Sequence, residues 1–524
     1  MVSGRTLFDL ADELELRVPT SCSRNGACHE CIVEVKSGME ALSPRSAAEA
    51  FLSGPYRLAC QAVVCDASHP VEFALLRRHP QILTDTEARA CELDPAVSRA
   101  GNRVCYEGEP IDEFRGHVCG AAVDAGTTTA VVNLVDLETG VTVGSSAFEN
   151  PQRFGGSDVM HRISYDSGPF RGEMHKAIVN GVNHELRVMC ERLGITRHEI
   201  YELVVTGNST MRDLFFGLDV QCIGQRPYRS SVERAWRAGE RPHTALLGEA
   251  HTLGLWMHPC GLVYGPPLVA SHVGADTAAA LAAIDVESRN EIFMLVDAGT
   301  NTEVVLGHAG RLVCASGPAG PAFEGGGVRF GMPGVSGAIE SLGWNGAGFD
   351  HRVIGGGAPQ GMCGSGLIDL LAELRRHGRM SARGVFAGGA REIAVAPEAG
   401  ISLSRADVSN LAQAKSANYC AQYILMRHYG IGPADIQKLY LAGGFVNYLD
   451  VRNAVEIGFL APVPEERVVK IGNASLEGGR EMLLERRKRR TIERVAQAIE
   501  HVELETVPDF FEIFVEGCLF DRIF

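Results

Sequence analysis

The 524-residue chain is 45% apolar and 22% charged, long enough for two to four domains with sizeable cores. A formal net charge of −15 argues against nucleic acid as the main partner. Fifteen cysteines without a basic, apolar leader in residues 1–20 argue against a secreted disulfide protein, so a cytoplasmic location is expected. The best apolar window, residues 118–135, holds Asp124, Gly126 and three threonines, so no membrane partner is expected.

Residues 1–78 open with a helical pattern at Thr6–Ala11. Cys22, Cys28 and Cys31 follow in a C-x5-C-x2-C spacing, then an apolar strand, then a fourth cysteine, Cys60, 29 positions on. A glycine-containing loop between the first two cysteines can wrap a cluster and aim N–H groups at its sulfurs. The spacing points to a [2Fe–2S] cluster. Zinc is the rival, although it commonly uses two paired knuckles and only one C-x2-C exists here. A thioredoxin-type redox pair leaves Cys22 and Cys60 without a role. His29 is expected at the surface, and the other eleven cysteines are expected to be small buried hydrophobes. The loop and the Arg-Leu-Ala-Cys ending resemble vertebrate-type and plant-type ferredoxins, which implies an α+β ferredoxin-like domain. It starts short, with 21 residues before Cys22. Residues 79–116, with Pro80, Pro95, Gly101, Gly108 and Pro110 and no sustained periodicity, are expected to be a linker.

Residues 117–524 are expected to form one nucleotide-binding unit with two subdomains. Two segments, Gly120–Thr129 and Phe293–Glu303, each run an apolar strand into Asp-Ala-Gly-Thr and then into a second apolar strand. Asp124 and Asp297 can hold Mg²⁺ through its waters. Gly126 and Gly299 let the backbone approach a phosphate. Thr127, Thr128, Thr300 and Asn301 add side-chain donors. Between the copies lie a polar loop at 150–158 entering a helix, a long helical stretch at 171–193, a strand at 202–205 and Gly207-Asn208-Ser209-Thr210 opening another helix.

After the second copy comes a glycine-rich run, 315–327, in which Glu324 is a candidate second acid. Gly364 and Ser365 lead into a helix at 367–377, with Ser365 as its expected cap. An apolar strand, 439–442, ends at Gly443-Gly444. A basic run, 486–490, lies on an expected helix at 481–499 and reads as a solvated face. No Gly-Lys-Ser/Thr occurs, so a Walker P-loop is excluded.

The two hairpins and the Gly-Gly turn resemble the superfamily of acetate and sugar kinases, heat-shock chaperones and actin. There, Asp-x-Gly-Thr hairpins clamp ATP phosphates and a Gly-Gly turn lies beside the adenosine. The fold class this implies is α/β, a duplicated ribonuclease-H-like ATPase unit of the ASKHA type, behind the ferredoxin-like domain. Together with that domain, the chain resembles the reductive activators of corrinoid-dependent methyltransferase systems. The resemblance rests on AVDAGTTTAVVNL, NPQRFGGSDVMHRI, GNSTM, DAGTNTEVVL, GPAGPAFEGG, GMCGSGLIDL, LAGGF and IGNASLEGG, in that order.

It implies an ATP-hydrolysing electron-transfer enzyme with a [2Fe–2S] cluster on Cys22, Cys28, Cys31 and Cys60, and with ATP and Mg²⁺ as further cofactors. It implies a corrinoid protein as partner, an upstream low-potential electron donor, and homodimerisation as one open assembly. Such proteins commonly carry a middle domain between the two parts, for which 38 residues of linker are too few. The alternatives are a small-molecule kinase with Asp297 as base, and a ferredoxin-type carrier whose nucleotide site is regulatory.

Overall fold

A computed structural model describes residues 4–76, 89–522 and 524. The described chain forms two compact units. One draws on residues 1–79 and 93–265, the other on 80–92 and 266–524.

The first unit starts with α1 (Leu7–Glu13). Thr6 and Asp9 close a reciprocal capping box at its start, as the helical pattern there requires. Strands β1 (Ile32–Ser37), β2 (Tyr56–Leu58) and β3 (Glu72–Leu75) form an antiparallel sheet in the order β2-β1-β3. Beneath it Arg57 and Glu49 form a buried two-point ion pair, Nε to Oε1 at 2.7 Å and Nη2 to Oε2 at 3.1 Å. The Ser46 and Leu58 amides also donate to Glu49, so both ions are satisfied where burial would otherwise penalise them.

The stretch expected to be a linker is structured over its C-terminal part; residues 79–88 lie outside the described set. Strands β4 (Val97–Ala100), β5 (Arg103–Tyr106) and β6 (Glu109–Glu113) form an antiparallel meander. Its turns hold left-handed Gly101 and Gly108, with Glu107 also at positive φ. Each strand is only four or five residues long, too short for a period-two signal to emerge from the sequence. Asp112 ties this sheet to the rest of the unit, accepting hydrogen bonds from Arg115 and from the Tyr201 hydroxyl at 3.0 Å, with His258 Nε2 at 3.2 Å.

A six-stranded sheet follows, built from β7 (Cys119–Ala125), β8 (Thr129–Asp136), β9 (Thr142–Glu149), β10 (Ile200–Thr206), β11 (Leu246–Glu249) and β12 (Leu262–Gly265). Its order is β11-β12-β10-β7-β8-β9. Interleaved with these strands are α2 (Val159–Asp166), α3 (Glu173–Leu193), α4 (Ser209–Phe215) and α5 (Ser231–Arg237). Helix α3 buries Ile178, Val182, Leu186 and Met189, a stripe at helical spacing, in the core shared with the sheet.

The second unit contains α6 (Ala275–Ala283), then β13 (Phe293–Ala298), β14 (Thr302–His308) and β15 (Arg311–Gly317). Next come β16 (Ala338–Trp344), β17 (Phe349–Val353), β18 (Gly361–Met362), α7 (Gly364–Arg376), β19 (Glu392–Ala396), β20 (Ile401–Ser404) and α8 (Arg405–Tyr429). The chain ends with β21 (Lys438–Ala442), α9 (Val451–Glu456), β22 (Val468–Gly472), α10 (Ala474–Leu484), α11 (Arg486–Ala498), β23 (Glu500–His501) and α12 (Phe510–Gly517). The main sheet runs β22-β21-β13-β14-β15-β23.

The two main sheets share a plan. An antiparallel three-strand meander, β7-β8-β9 or β13-β14-β15, is joined on its first strand by a parallel strand, β10 or β21. That strand is joined by a further parallel one, β12 or β22. This is the duplication expected from the repeated hairpins.

The helix expected at 481–499 is two helices, α10 and α11, broken at Glu485 in extended conformation. Its basic run is only partly solvated: Arg489 is buried with Nε on the Met482 carbonyl, and Lys488 reaches Asp285 and Glu481. Helices α6 and α10 meet at Gly478, where an added Cβ would lie 1.8 Å from the Ala279 carbonyl oxygen.

Candidate functional site: a cysteine loop and two Asp-Ala-Gly-Thr hairpins

The cysteine loop needs unusual backbone. Ser23, Arg24, Gly26 and His29 all sit at positive φ, which curls the chain between Cys22 and Cys31. At Gly26 (φ +85°) a Cβ would come within 3.0 Å of Ala48 Cβ and 3.1 Å of Gln61 Nε2, so the loop closes only on glycine. The thiols fall into two pairs. Thr20 Oγ1 lies 3.9 Å from both Cys22 and Cys28 Sγ, and Cys31 and Cys60 Sγ are 3.4 Å apart.

Burial opposes ionisation of Cys22, but the Cys28 and Ala27 amides hold its pKa below the ordinary thiol range. The Cys31 thiol, with Gln61 and the Gly26 amide, does the same for Cys60 and is itself pushed up. Among the described residues no three Cys, His, Asp or Glu side chains surround one ion. Two thiol pairs with N–H groups aimed at sulfur fit a two-iron cluster better than a single zinc.

His29 is not the surface residue expected. Its ring stacks on Phe51 at 4.1 Å and its Nδ1 lies 2.7 Å from Glu173 of α3, while Asn180 of the same helix donates to the Cys28 carbonyl at 3.1 Å. Of the eleven other cysteines, Cys105, Cys119, Cys190, Cys314, Cys363 and Cys420 are buried as expected. Cys91, Cys222 and Cys518 are half-buried, and Cys65 and Cys260 are exposed.

The first hairpin joins β7 and β8 through Gly126, Thr127 and Thr128. Half-buried Asp124 ends β7, and Thr206 Oγ1 on the neighbouring β10 lies 3.4 Å from its Oδ1. Gly126 has no room for a side chain: a Cβ would meet the Thr129 carbonyl at 2.4 Å. The loop is held from behind by residues whose individual roles the sequence left open. Asn150 Nδ2 donates to the Gly126 carbonyl at 2.8 Å, Asn208 Nδ2 to Thr127 Oγ1 at 3.0 Å, and Arg162 Nη2 to the Thr127 carbonyl at 2.6 Å. Both asparagines also cap helical turns.

The second hairpin carries Asp297 at the end of β13, followed by Gly299, Thr300 and Asn301. The Thr300 hydroxyl donates to Glu324, and the Gly320 amide donates to the Thr300 carbonyl at 2.7 Å, so the glycine-rich run backs this loop. Opposite Asp297 in the ladder stands Glu303, buried, with Ser316 Oγ on its Oε1 at 3.1 Å. Burial, reinforced by the charges of Asp276 and Asp297, pushes the Glu303 pKa well above the ordinary range.

In the same unit β21 runs parallel to β13 with Ala442 opposite Asp297, which places Gly443 directly behind Ala298. A Cβ on Gly443 (φ +121°) would lie 2.4 Å from the Ala298 carbonyl. Gly364 begins α7, where a Cβ would meet the Phe323 carbonyl at 2.4 Å and the Phe445 ring, beside Gly444, at 2.9 Å. Ser365 is not the cap expected. Cys363 occupies the cap position, and Ser365, 1% exposed, donates to the Glu340 carbonyl at 2.8 Å.

These features define a class: a ferredoxin-type iron–sulfur domain joined to a duplicated ASKHA-type unit. Family models match in succession. They are the 2Fe-2S iron-sulfur cluster binding domain over residues 1–65, the RACo middle region over 119–289, and the C-terminal domain of RACo, the ASKHA domain, over 291–522. The middle region is therefore present, on residues the sequence reading gave to the first half of the nucleotide unit.

Corrinoid activation enzyme RamQ of Eubacterium limosum is 32% identical over 448 residues, 80% of this chain and 73% of its own. The [Co(II) methylated amine-specific corrinoid protein] reductase of Methanosarcina barkeri is 26% identical over 420 residues, 75% of each. A solved reductive activator for corrinoid,iron-sulfur protein superposes with a TM-score of 0.73 at 28% identity, covering 99% of this chain and 96% of that one. The chain belongs to this family of corrinoid-protein reductive activators, with a 2Fe-2S domain followed by the RACo middle and ASKHA domains.

Proposed function

We propose that the protein is an ATP-dependent reductive activator acting on the Co(II) corrinoid of a methyltransferase-associated corrinoid protein. One observation carries this reading: a single chain joins paired thiols in a ferredoxin fold to two Asp-Ala-Gly-Thr hairpins in matching sheets. Cys22, Cys28, Cys31 and Cys60 would hold the cluster, which when bound supplies one electron at a time. Gly126, Thr127, Thr128, Gly299, Thr300 and Asn301 present donors to the ATP phosphates. Asp124 and Asp297 would hold Mg²⁺, which when bound would offset phosphate charge, and their carboxylates would orient the attacking water. Gly364, Ser365, Gly443 and Gly444 shape the backbone on the nucleoside side. In this reading the protein works in the cytoplasm and is recharged by an upstream low-potential donor, with a homodimer as one open assembly. Among the described residues no helix is long and apolar enough to cross a membrane.

The need for ATP follows from potentials. Clusters of this type lie near about −400 mV, and a corrinoid Co(II) that is ~100 mV harder to reduce disfavours the product about fifty-fold. That is ~2.3 kcal/mol, within reach of a nucleotide-dependent change in complex stability. The test follows Co(I) absorbance anaerobically with reduced protein and a corrinoid partner. Co(I) should accumulate with ATP and not with a non-hydrolysable analogue or without nucleotide. Equal yields in all three would leave a plain electron carrier, and a phosphorylated small molecule formed in step with ADP would indicate a kinase.

A further inference from the structure

Arg162 is an oddity behind the first hairpin. It sits on α2, 1% exposed, and its guanidinium donates to the Thr127 carbonyl (2.6 Å), Gln152 Oε1 (3.2 Å) and the Gly156 carbonyl (3.1 Å). These acceptors, and Met211 Sδ at 3.2 Å from Nη1, are all neutral; among the described residues no carboxylate takes one of its hydrogen bonds, and the Asp158 charge acts on it only through space. Burial lowers its pKa to about 9, which still leaves it a cation at neutral pH. A buried positive charge without a bonded counterion is costly unless an anion completes the balance. The loop it supports, through Thr127, is the one read above as facing phosphate.

The same helix reaches the cysteine loop. Tyr165, three positions on, donates from its hydroxyl to the Phe51 carbonyl at 2.6 Å. Phe51 stacks on His29, which stands between Cys28 and Cys31. Phe154, just upstream of α2, meets both the Phe51 and Tyr165 rings edge-on at 5.6 Å.

We propose that α2 is a transmission element. Arg162 is a positioning residue that answers a phosphate at Thr127, and Tyr165 passes the adjustment through Phe51 and His29 to the cysteine loop. This rests on the nucleotide reading above and adds to it a route, inside the first unit, from phosphate to cluster. Linkage makes the route measurable. If ATP alters how readily the cluster accepts an electron, reduction must alter ATP affinity by the same factor.

The experiment uses the full chain with its cluster, anaerobically. ATP and adenosine dissociation constants are measured by calorimetry on oxidised and reduced protein, and the cluster potential is measured with and without ATP. The unsubstituted protein should show at least a threefold ratio between the two oxidation states, matched by a potential shift of ~28 mV. Tyr165→Phe should keep ATP affinity within twofold in the oxidised state while its ratio falls toward one. Arg162→Gln should weaken ATP about tenfold and leave adenosine unchanged, and Arg162→Lys should recover most of the loss.

A ratio of one in the unsubstituted protein would overturn the coupling. A full ratio in Tyr165→Phe would overturn the route, and unchanged ATP affinity in Arg162→Gln would overturn the role of the charge. Failure of the unsubstituted protein to bind ATP at all would instead bring down the nucleotide reading itself.

Discussion

Lys415 on α8 is fully buried, and its amine has no hydrogen-bond partner among the described residues. It lies about the rings of Tyr419 and Phe520, 6.0 and 5.8 Å from their centroids. Burial lowers its pKa to about 7, whereas the unfolded chain holds the proton to near 10.5. Between those values the unfolded state binds more protons, so stability rises with pH. Lys415→Met should therefore stabilise the protein by about 2 kcal/mol at pH 7. The gain should shrink as pH approaches 10, as read by denaturant titrations across that range. A constant gain would mean that folding does not change the lysine's pKa.

Asp297 makes a different prediction. Asp297 is the carboxylate that leads into its hairpin, and Asp297→Asn should reduce ATP turnover by ~10²-fold or more with the fold intact. Steady-state ADP release checks it, and unchanged turnover would place the role elsewhere. The sequence made Asp297 legible through its repeated motif. It could not show Glu303, because a glutamate inside an apolar strand carries no sign of the two carboxylates that face it.

At the scale of elements, long periodic segments were the legible ones. Helix α3, strand β10 and both hairpins lie where apolar spacing puts them. The break at Glu485 was invisible because residues on both sides favour helix. The β4-β5-β6 meander was missed because its strands are short and half-exposed, and its attachment depends on a distant tyrosine and histidine. Arg115, helped by the Tyr201 hydroxyl and His258, holds the Asp112 pKa well below the usual carboxylate range despite burial. Asp112 thus contributes stability above the unfolded carboxylate pKa, near 4, and loses it as pH falls through the folded value. Asp112→Asn should cost about 2 kcal/mol at pH 7 and should flatten the acid limb of the stability curve. An unchanged limb would show that the sheet is held by its apolar contacts alone.

At the scale of the whole molecule, the duplication was readable because both copies kept the same four-residue turn. The partners of each turn were not, since Asn150, Arg162 and Asn208 come from segments 24 to 81 residues from the loop atoms they hold. The paired thiols carry a stoichiometric prediction. Anaerobically purified protein should be brown and contain about two irons per chain. Metal analysis returning one tightly bound zinc in a colourless protein would replace the cluster with a structural site.

One tight approach of two helices lies away in sequence from both hairpins and the cysteine loop. At Gly478 the α10 helix touches α6 so closely that even a methyl group would strike the Ala279 carbonyl. Among naturally arising alleles, Gly478→Ser or Gly478→Ala should behave as loss-of-function lesions with low protein abundance rather than a slowed reaction. A screen that ranked positions only by their intolerance of change would place this glycine beside Asp124 and Asp297. Immunoblotting of steady-state levels would separate them, because the aspartate alleles should accumulate normally and the glycine alleles should not.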